Sequence, residues 1–286
     1  MIKKVKHLSE FFLKIPEEDL KNLAENTDKY YNIFYKKKTR PDGTIKTREI
    51  TEAKGLLKKT HKLILKNILS KIEYPSPPFI GGLKKKDNIL NAYFHKGKPY
   101  KFCTDLKNFF PHINNKMVYS AFVNRGFSPD VARVLTKLTT YKGGLIQGGA
   151  NSTHIAYLAL WDTVQELMQI CEENQIIFTV YVDDMTFSSQ RDFKDLSIIL
   201  RNTIINNGFF VNHEKTFYTK GRANITGVKV GQNTLNVKDD FRQKLKNTSG
   251  LTDLQKQGLE RYYNRVILYR KNNSKTDTKC QKLKKK

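Results

Sequence analysis

Cysteine is scarce: Cys103, Cys171 and Cys280 are the only three in 286 residues, scattered and odd in number. That excludes a disulfide framework, offers no zinc-ligand spacing and suggests a reducing cytosol. Acidic residues are few, 27 against 52 Lys plus Arg, for a formal net charge of +25. No apolar run approaches the roughly 18 residues of a membrane span. The first residues, MIKKVKHLSEFFLKIPEEDL, carry charges throughout the stretch that a signal peptide keeps apolar. No internal repeat is present. What is there is enough apolar sequence, 38% of residues, for a core in one large domain or two to three packed subdomains. The positive excess is more than solubility needs and points to a polyanionic partner, nucleic acid by default. A membrane surface fits less well, because no basic amphipathic helix matches it.

The charge is uneven. Residues 36–66 hold eleven basic and three acidic side chains, and residues 264–286 hold nine and one. The tail RKNNSKTDTKCQKLKKK is too polar to fold alone and reads equally as a solubilising or an RNA-contacting segment. Residues 33–50 read as two strands around a Pro-Asp-Gly turn. Helices are expected over 17–26, 52–72, 115–126, 128–141 and 151–174 and, up to a stop at Gly208, over 192–208. Ser128 is the N-cap of the fourth, with Pro129 at its first position. PYKFCTD, IIFTVYVDDMTFSS, FFVNHEKTFYTK and NITGVKV read as strands, and the region from about 239 as helical. Helices and strands mix without regular alternation, so the fold class is α+β.

The chemistry begins with carboxylates. In IIFTVYVDDMTFSS, Asp183 and Asp184 fall at the tip of a hairpin. Side chains of adjacent strand residues point opposite ways, so Asp183 shares a site with a partner strand while Asp184 is held more loosely. KFCTDLKNFF offers that partner in Asp105. Carboxylates gathered at one sheet edge repel one another unless hard divalent cations lie between them, and Mg²⁺ takes such oxygen ligands. Two ions about 3.5–4 Å apart promote phosphoryl transfer. Taken alone, the Tyr-x-Asp-Asp tetrapeptide is also compatible with an ordinary Asp-rich turn.

The neighbouring motifs go further. YVDD between β-prone runs resembles the catalytic hairpin of reverse transcriptases, and FCTDLKNFFPHI resembles the strand with the first catalytic aspartate. GGLIQGGANS resembles that family's Leu-Pro-Gln-Gly segment, with Ile146 in place of Pro and GGANS in place of Ala-Pro-x-Ser. NNGFFVNHEKT resembles its later Gly…Lys segment, and TREI its finger hairpin. NILNAYFHKGK, with Asn91-Ala92-x-x-His95, and NITGVKV, with Ile225-Thr226-Gly227, resemble segments of the retron reverse transcriptases, Ile standing for Val. The resemblance runs from about residue 30 to about 235.

It implies a right-hand polymerase with an antiparallel palm sheet carrying the catalytic aspartates. The expected partition is an N-terminal region and fingers over 1–100, a palm over 101–232 with a fingers insertion at about 114–145, and a short thumb and basic tail over 233–286. Asp105, Asp183 and Asp184 would be catalytic and hold two Mg²⁺ ions. Phe110 would stand against the sugar 2′ position and exclude ribonucleotides, with Phe109 as core packing. Gln147 and Gly148 would lie along the incoming deoxynucleoside triphosphate. Lys215, Arg48 and Lys38 (or Lys37) would meet its phosphates. Asn91, His95, Thr226 and Gly227 would belong to RNA binding, His95 equally to the local fold. The resemblance further implies a cognate structured noncoding RNA primed from a guanosine 2′-OH, branched multicopy single-stranded DNA as product, a separate effector protein, and a role in anti-phage defence. A group II intron-like or abortive-infection reverse transcriptase, and a non-catalytic RNA-binding scaffold, are the alternatives.

Overall fold

The computed structural model describes residues 2–39 and 43–269, apart from the side chains of Lys38, Lys46 and Arg48. The basic tail and Cys280 lie outside the described residues. The helices are α1 Val5–His7, α2 Glu17–Glu25, α3 Gly55–Asn67, α4 Asn88–Phe94, α5 Phe109–His112, α6 Asn115–Asn124, α7 Pro129–Thr139, α8 Ser152–Ala159, α9 Trp161–Glu173, α10 Lys194–Asn206, α11 Asp239–Lys246 and α12 Asp253–Ile267. The strands are β1 Tyr31–Thr39, β2 Ile45–Ala53, β3 Tyr100–Asp105, β4 Thr140–Tyr141, β5 Gly144–Leu145, β6 Ile177–Tyr181, β7 Asp184–Ser189, β8 Phe217–Lys220, β9 Ala223–Ile225, β10 Val228–Val230 and β11 Leu235–Val237.

Local chemistry sets most of these bounds. Ser128 Oγ accepts from the Val131 N–H ahead of Pro129, and Asp87 Oδ1 accepts from the Leu90 N–H at the start of α4. Thr252 and Gln255 form a reciprocal capping box on α12. After α10 the chain turns at Gly208, where φ is +85°. The expected helix over 151–174 is instead two, broken at Leu160 with no Gly or Pro to mark the place. FFVNHEKTFYTK is a strand only from Phe217; before it, His213–Lys215 form a 3-10 turn.

The central sheet has the order β6-β7-β3-β8, each neighbouring pair antiparallel. Phe178 lies flat on Phe187 at 4.5 Å, and Phe102 stacks on the same ring at 5.6 Å. Burying such a ring is worth about 1.5–3 kcal/mol. A one-residue slip would send all three to the wrong face, so they fix the register. Phe102 belongs to the large core built with α3 and α6 to α10, while its neighbour Cys103 belongs to a second core. That second core lies between α4, the three-stranded sheet β9-β10-β11, and Val266 of α12.

Candidate active site

The register of β3 on β7 sets Asp105 directly opposite Asp184, and Tyr181 opposite Asp184 closes a two-residue turn of Val182 and Asp183. Val182 has φ +63°. A β-branched residue rarely adopts that conformation, and a turn of this shape ordinarily takes Gly there. The surroundings hold it in place. Tyr157 of α8, fully buried, donates its hydroxyl proton to the Gly81 carbonyl (2.8 Å) and accepts from the Val182 N–H (2.9 Å). Ile80 N–H donates to the Val180 carbonyl (2.9 Å) and Leu106 N–H to the Asp183 carbonyl (2.9 Å). A Cβ at Gly81 would come within 2.6 Å of the Val182 nitrogen, so only glycine lets the loop of residues 79–82 approach the turn.

Asp105, 5% exposed, accepts from Lys215 Nζ at 2.7 Å and Asn212 Nδ2 at 3.3 Å, and its carbonyl accepts from the Asn212 N–H at 2.8 Å. Asp105 and Asp183 line one cleft of about 590 Å³ together with Phe110, Gln147 and Lys215. Asp184 lines a second, of about 860 Å³, on the other side of the hairpin with Arg222, Lys229 and Thr226. Burial, then the charges of Asp183 and Asp105, push the Asp184 carboxyl up to about 6. Among the described residues no three or more His, Cys, Asp or Glu side chains are arranged as a ready-made metal cage. The donor set nonetheless fits a hard divalent cation in kind: the donors are carboxylate oxygens, and their mutual repulsion is what such a cation relieves.

The other expected residues divide. Phe110 lines the first cleft while Phe109 is buried against Phe209. Gln147 is exposed on that cleft, and Gly148 beside it has φ +102°. Lys36 stands opposite Arg48 and Lys46 opposite Lys38; the side chains of Lys38 and Arg48 lie outside the described residues. Glu49, next to Arg48, lines the cleft.

Asn91 and His95 are both fully buried, and the contacts of His95 are those of the local fold. The His95 ring is 2.7 Å from Thr179 Oγ1 on β6 and 2.7 Å from Ser188 Oγ on β7. Burial, then the Lys101 charge, push it down to about 3, so the ring is neutral. Asn91 Nδ2 donates to Thr226 Oγ1 (3.2 Å), and Asn88 Nδ2 donates to the Thr226 carbonyl (3.0 Å) and to the Tyr262 hydroxyl (2.7 Å). Asp87 pairs with Arg265 of α12. Thus α4 ties together the catalytic hairpin, the β9–β10 turn and α12. Gly227 lines the second cleft beside Thr226. Sequence reading missed Tyr157, Gly81 and Asn212. Asn212, three residues before Lys215, carried the only local signal.

An antiparallel sheet presenting carboxylates from two adjacent strands, between a cleft that holds Asp105 and Asp183 with Lys215 and a second lined by Arg222, Lys229 and Lys238, defines the palm of a right-hand polymerase. Telomerase from Candida albicans superposes with TM-score 0.52 at 12% identity, over 80% of this chain and 50% of that one, a likeness of fold. The family model described as "Reverse transcriptase (RNA-dependent DNA polymerase)" matches residues 35–230. The chain is 38% identical over 148 residues to the Retron Se72 reverse transcriptase of Salmonella heidelberg, covering 51% of this chain and 39% of that protein. It is 30% identical over 229 residues to the Retron Ec86 reverse transcriptase of Escherichia coli, covering 78% of this chain and 70% of that one. The chain belongs to the retron-type reverse transcriptases. Among the described residues no helix is long and apolar enough to cross a membrane.

Proposed function

We propose that this chain is an RNA-directed DNA polymerase that copies a cognate structured noncoding RNA from a 2′-hydroxyl primer on that RNA, giving branched multicopy single-stranded DNA in anti-phage defence. The observation that carries the polymerase reading is Asp105 and Asp183 in one cleft with Phe110, Gln147 and Lys215. The retron-specific part rests on the likeness to the retron Se72 and retron Ec86 reverse transcriptases. The partition into fingers, palm and thumb is proposed with β11, beyond residue 232, kept in the sheet of β9 and β10.

In this mechanism Asp105 and Asp183, helped by Asp184, would hold two Mg²⁺ ions. The chemistry such ions would supply there is a lowered pKa for the attacking hydroxyl and compensation of the charge on the departing pyrophosphate. The chain's own groups position the reactants. Phe110 walls off the sugar 2′ position, so an extra hydroxyl is rejected by steric exclusion. Asn212 orients Asp105 through its amide and its backbone N–H. Lys215, now paired with Asp105, is within reach of a triphosphate in the same cleft. A cytosolic site of action and a separate effector protein complete the reading.

The test has two stages. The purified chain should extend oligo(dT) on poly(rA) with dTTP and Mg²⁺, and Asp183→Ala should lose at least about a thousandfold in rate, the scale on which a catalytic metal ligand acts. Nucleic acid co-purified from the native locus should contain a discrete single-stranded DNA that survives RNase and shifts on debranching. RNA alone, or unbranched DNA of random length, rules out the retron reaction.

A further inference from the structure

The groove that leaves the aspartates does not end at the β9–β10 turn. Gly227 and Lys238 line both the 860 Å³ cleft beside Asp184 and a smaller one of about 420 Å³ beyond the turn. The smaller cleft lies between α4, α11 and α12, away from the carboxylates. Its size falls in the roughly 300–1,000 Å³ range of small-ligand sites. We propose that it receives one unpaired nucleotide of a bound RNA, base against Phe241 and Tyr262, phosphate at the lysines. This rests on the proposed function, in that an RNA is the partner.

Each wall supplies one part of nucleotide recognition. Phe241 and Tyr262, both half-buried, meet at 5.0 Å with their planes 54° apart. Rings so tilted do not stack face to face on one another, which leaves a ring face for a base. Lys238 and Lys244 stand at the rim, where a backbone phosphate would pass. Asp240 is also at the rim. Its carboxylate repels a lone phosphate, so a simple anion site is a poorer fit, but it accepts from a base N–H or a ribose 2′-OH. Asn88 commits both amide hydrogens, to the Thr226 carbonyl and to Tyr262, so its remaining polar atom is an acceptor held in a fixed place. The Tyr262 hydroxyl receives that bond and keeps its own proton to donate. A double helix cannot present a base to such a cleft without opening, so the ligand is a single-stranded or bulged nucleotide.

The experiment uses the full chain and a 15-nucleotide oligouridylate carrying one 4-thiouridine, compared with a blunt RNA duplex of the same length. Irradiation should cross-link the thiouridine to the peptides of Phe241 or Tyr262. Phe241→Leu, which keeps bulk and removes the ring face, should weaken binding of the single strand by about fivefold or more, the lower end of base–aromatic stacking, and leave the duplex affinity within about twofold. If Phe241→Leu melts early, the exposed Lys244→Glu reads the same cleft: it should weaken the single strand more than the duplex. Cross-links confined to the Asp184 groove, or equal losses for single strand and duplex in both variants, overturn the proposal. Extension of oligo(dT) on poly(rA) by the unaltered chain is the separate check on the polymerase reading. Its failure removes that reading, while the cross-link map still decides whether the cleft takes a base.

Discussion

The Val182–Asp183 turn and the Thr226–Gly227 turn break the same rule and are held in different ways. Each puts a β-branched residue at positive φ, +63° at Val182 and +43° at Thr226. Such a conformation costs on the order of 1–3 kcal/mol unless the surroundings impose it. At Val182 the restraint acts on the backbone: a buried tyrosine hydroxyl takes the N–H, and Gly81 packs against the peptide. At Thr226 it acts through the side chain and carbonyl, by Asn91 and Asn88 of α4, and Asn88 also reaches α12. The first turn is fixed by the rigid core beside it, the second by a helix shared with the C-terminal module. The first therefore suits groups that must not move, and the second a surface whose position follows what α12 binds.

The sharpest way to break this comparison is Gly81→Ala. Its methyl would meet backbone at 2.6 Å, which cannot swing aside, so the Val182–Asp183 turn must shift. A displacement near 1 Å at a reacting centre costs about a hundredfold, and the extension rate should fall by at least that much. Gly227→Ala is the counterpart. Its methyl would meet only Asn88 Nδ2 at 3.8 Å, though φ is +90°. It should lower stability by about 1–2 kcal/mol from left-handed strain and slow extension far less. Equal rate losses in the two variants would show that the turns are not held differently.

A smaller effect separates the restraints themselves. Tyr157→Phe leaves the Val182 N–H without its partner, a loss of about 1–3 kcal/mol. It should lower kcat with little change in the KM for dTTP, because the aspartates move while the phosphate-facing lysines do not. Asn91→Ala removes the amide donor to Thr226 Oγ1, leaving that hydroxyl only its own bond to the Asn88 carbonyl, and should lower stability by a similar amount while kcat stays within about threefold. If Asn91→Ala lost more kcat than Tyr157→Phe, the assignment of the rigid turn to catalysis would be reversed.

Much of the catalytic side was legible in the chain. Alternation around YVDD and KFCTD placed two strands and their acids, and the apolar partners Phe102, Phe178 and Phe187 then fix the register that sets Asp105 opposite Asp184. Ser128 and Gly208 marked helix ends because caps act locally. What was not legible depends on distant partners. Tyr157 reads as one more apolar position of a helix, and nothing near it names Gly81 or Val182 as its contacts. The helix α4 was not legible although Asp87 caps it, because its seven residues make barely two turns, too few for a helical period to show. Asn91 is buried at the β9–β10 turn through Thr226, and His95 against Thr179 and Ser188 of β6 and β7, partners more than 80 residues away that no local pattern reveals.

The gentlest test of the shared helix is the acid response of His95. Its ring bridges β6 and β7 through Thr179 and Ser188 and is held neutral by burial, then by Lys101, with its pKa down at about 3 against the ordinary 6.5. On acidification the unfolded chain takes up this proton near 6.5 and the folded chain does not until about 3. Acid therefore favours unfolding between those values, and above 6.5 the group contributes no pH dependence. One such proton gives a slope of about 1.4 kcal/mol per pH unit. His61 and His154 are also pushed down by burial and add to the acid slope, but they are the same in a variant at residue 95. In His95→Gln, which keeps a donor and an acceptor for the two hydroxyls, urea unfolding between pH 6 and pH 4 should lose stability less steeply, by about one proton's worth. Parallel slopes would mean that His95 is protonated in the fold, and that the bridge between α4 and the catalytic hairpin carries a charge that the buried Lys101 beside it would oppose.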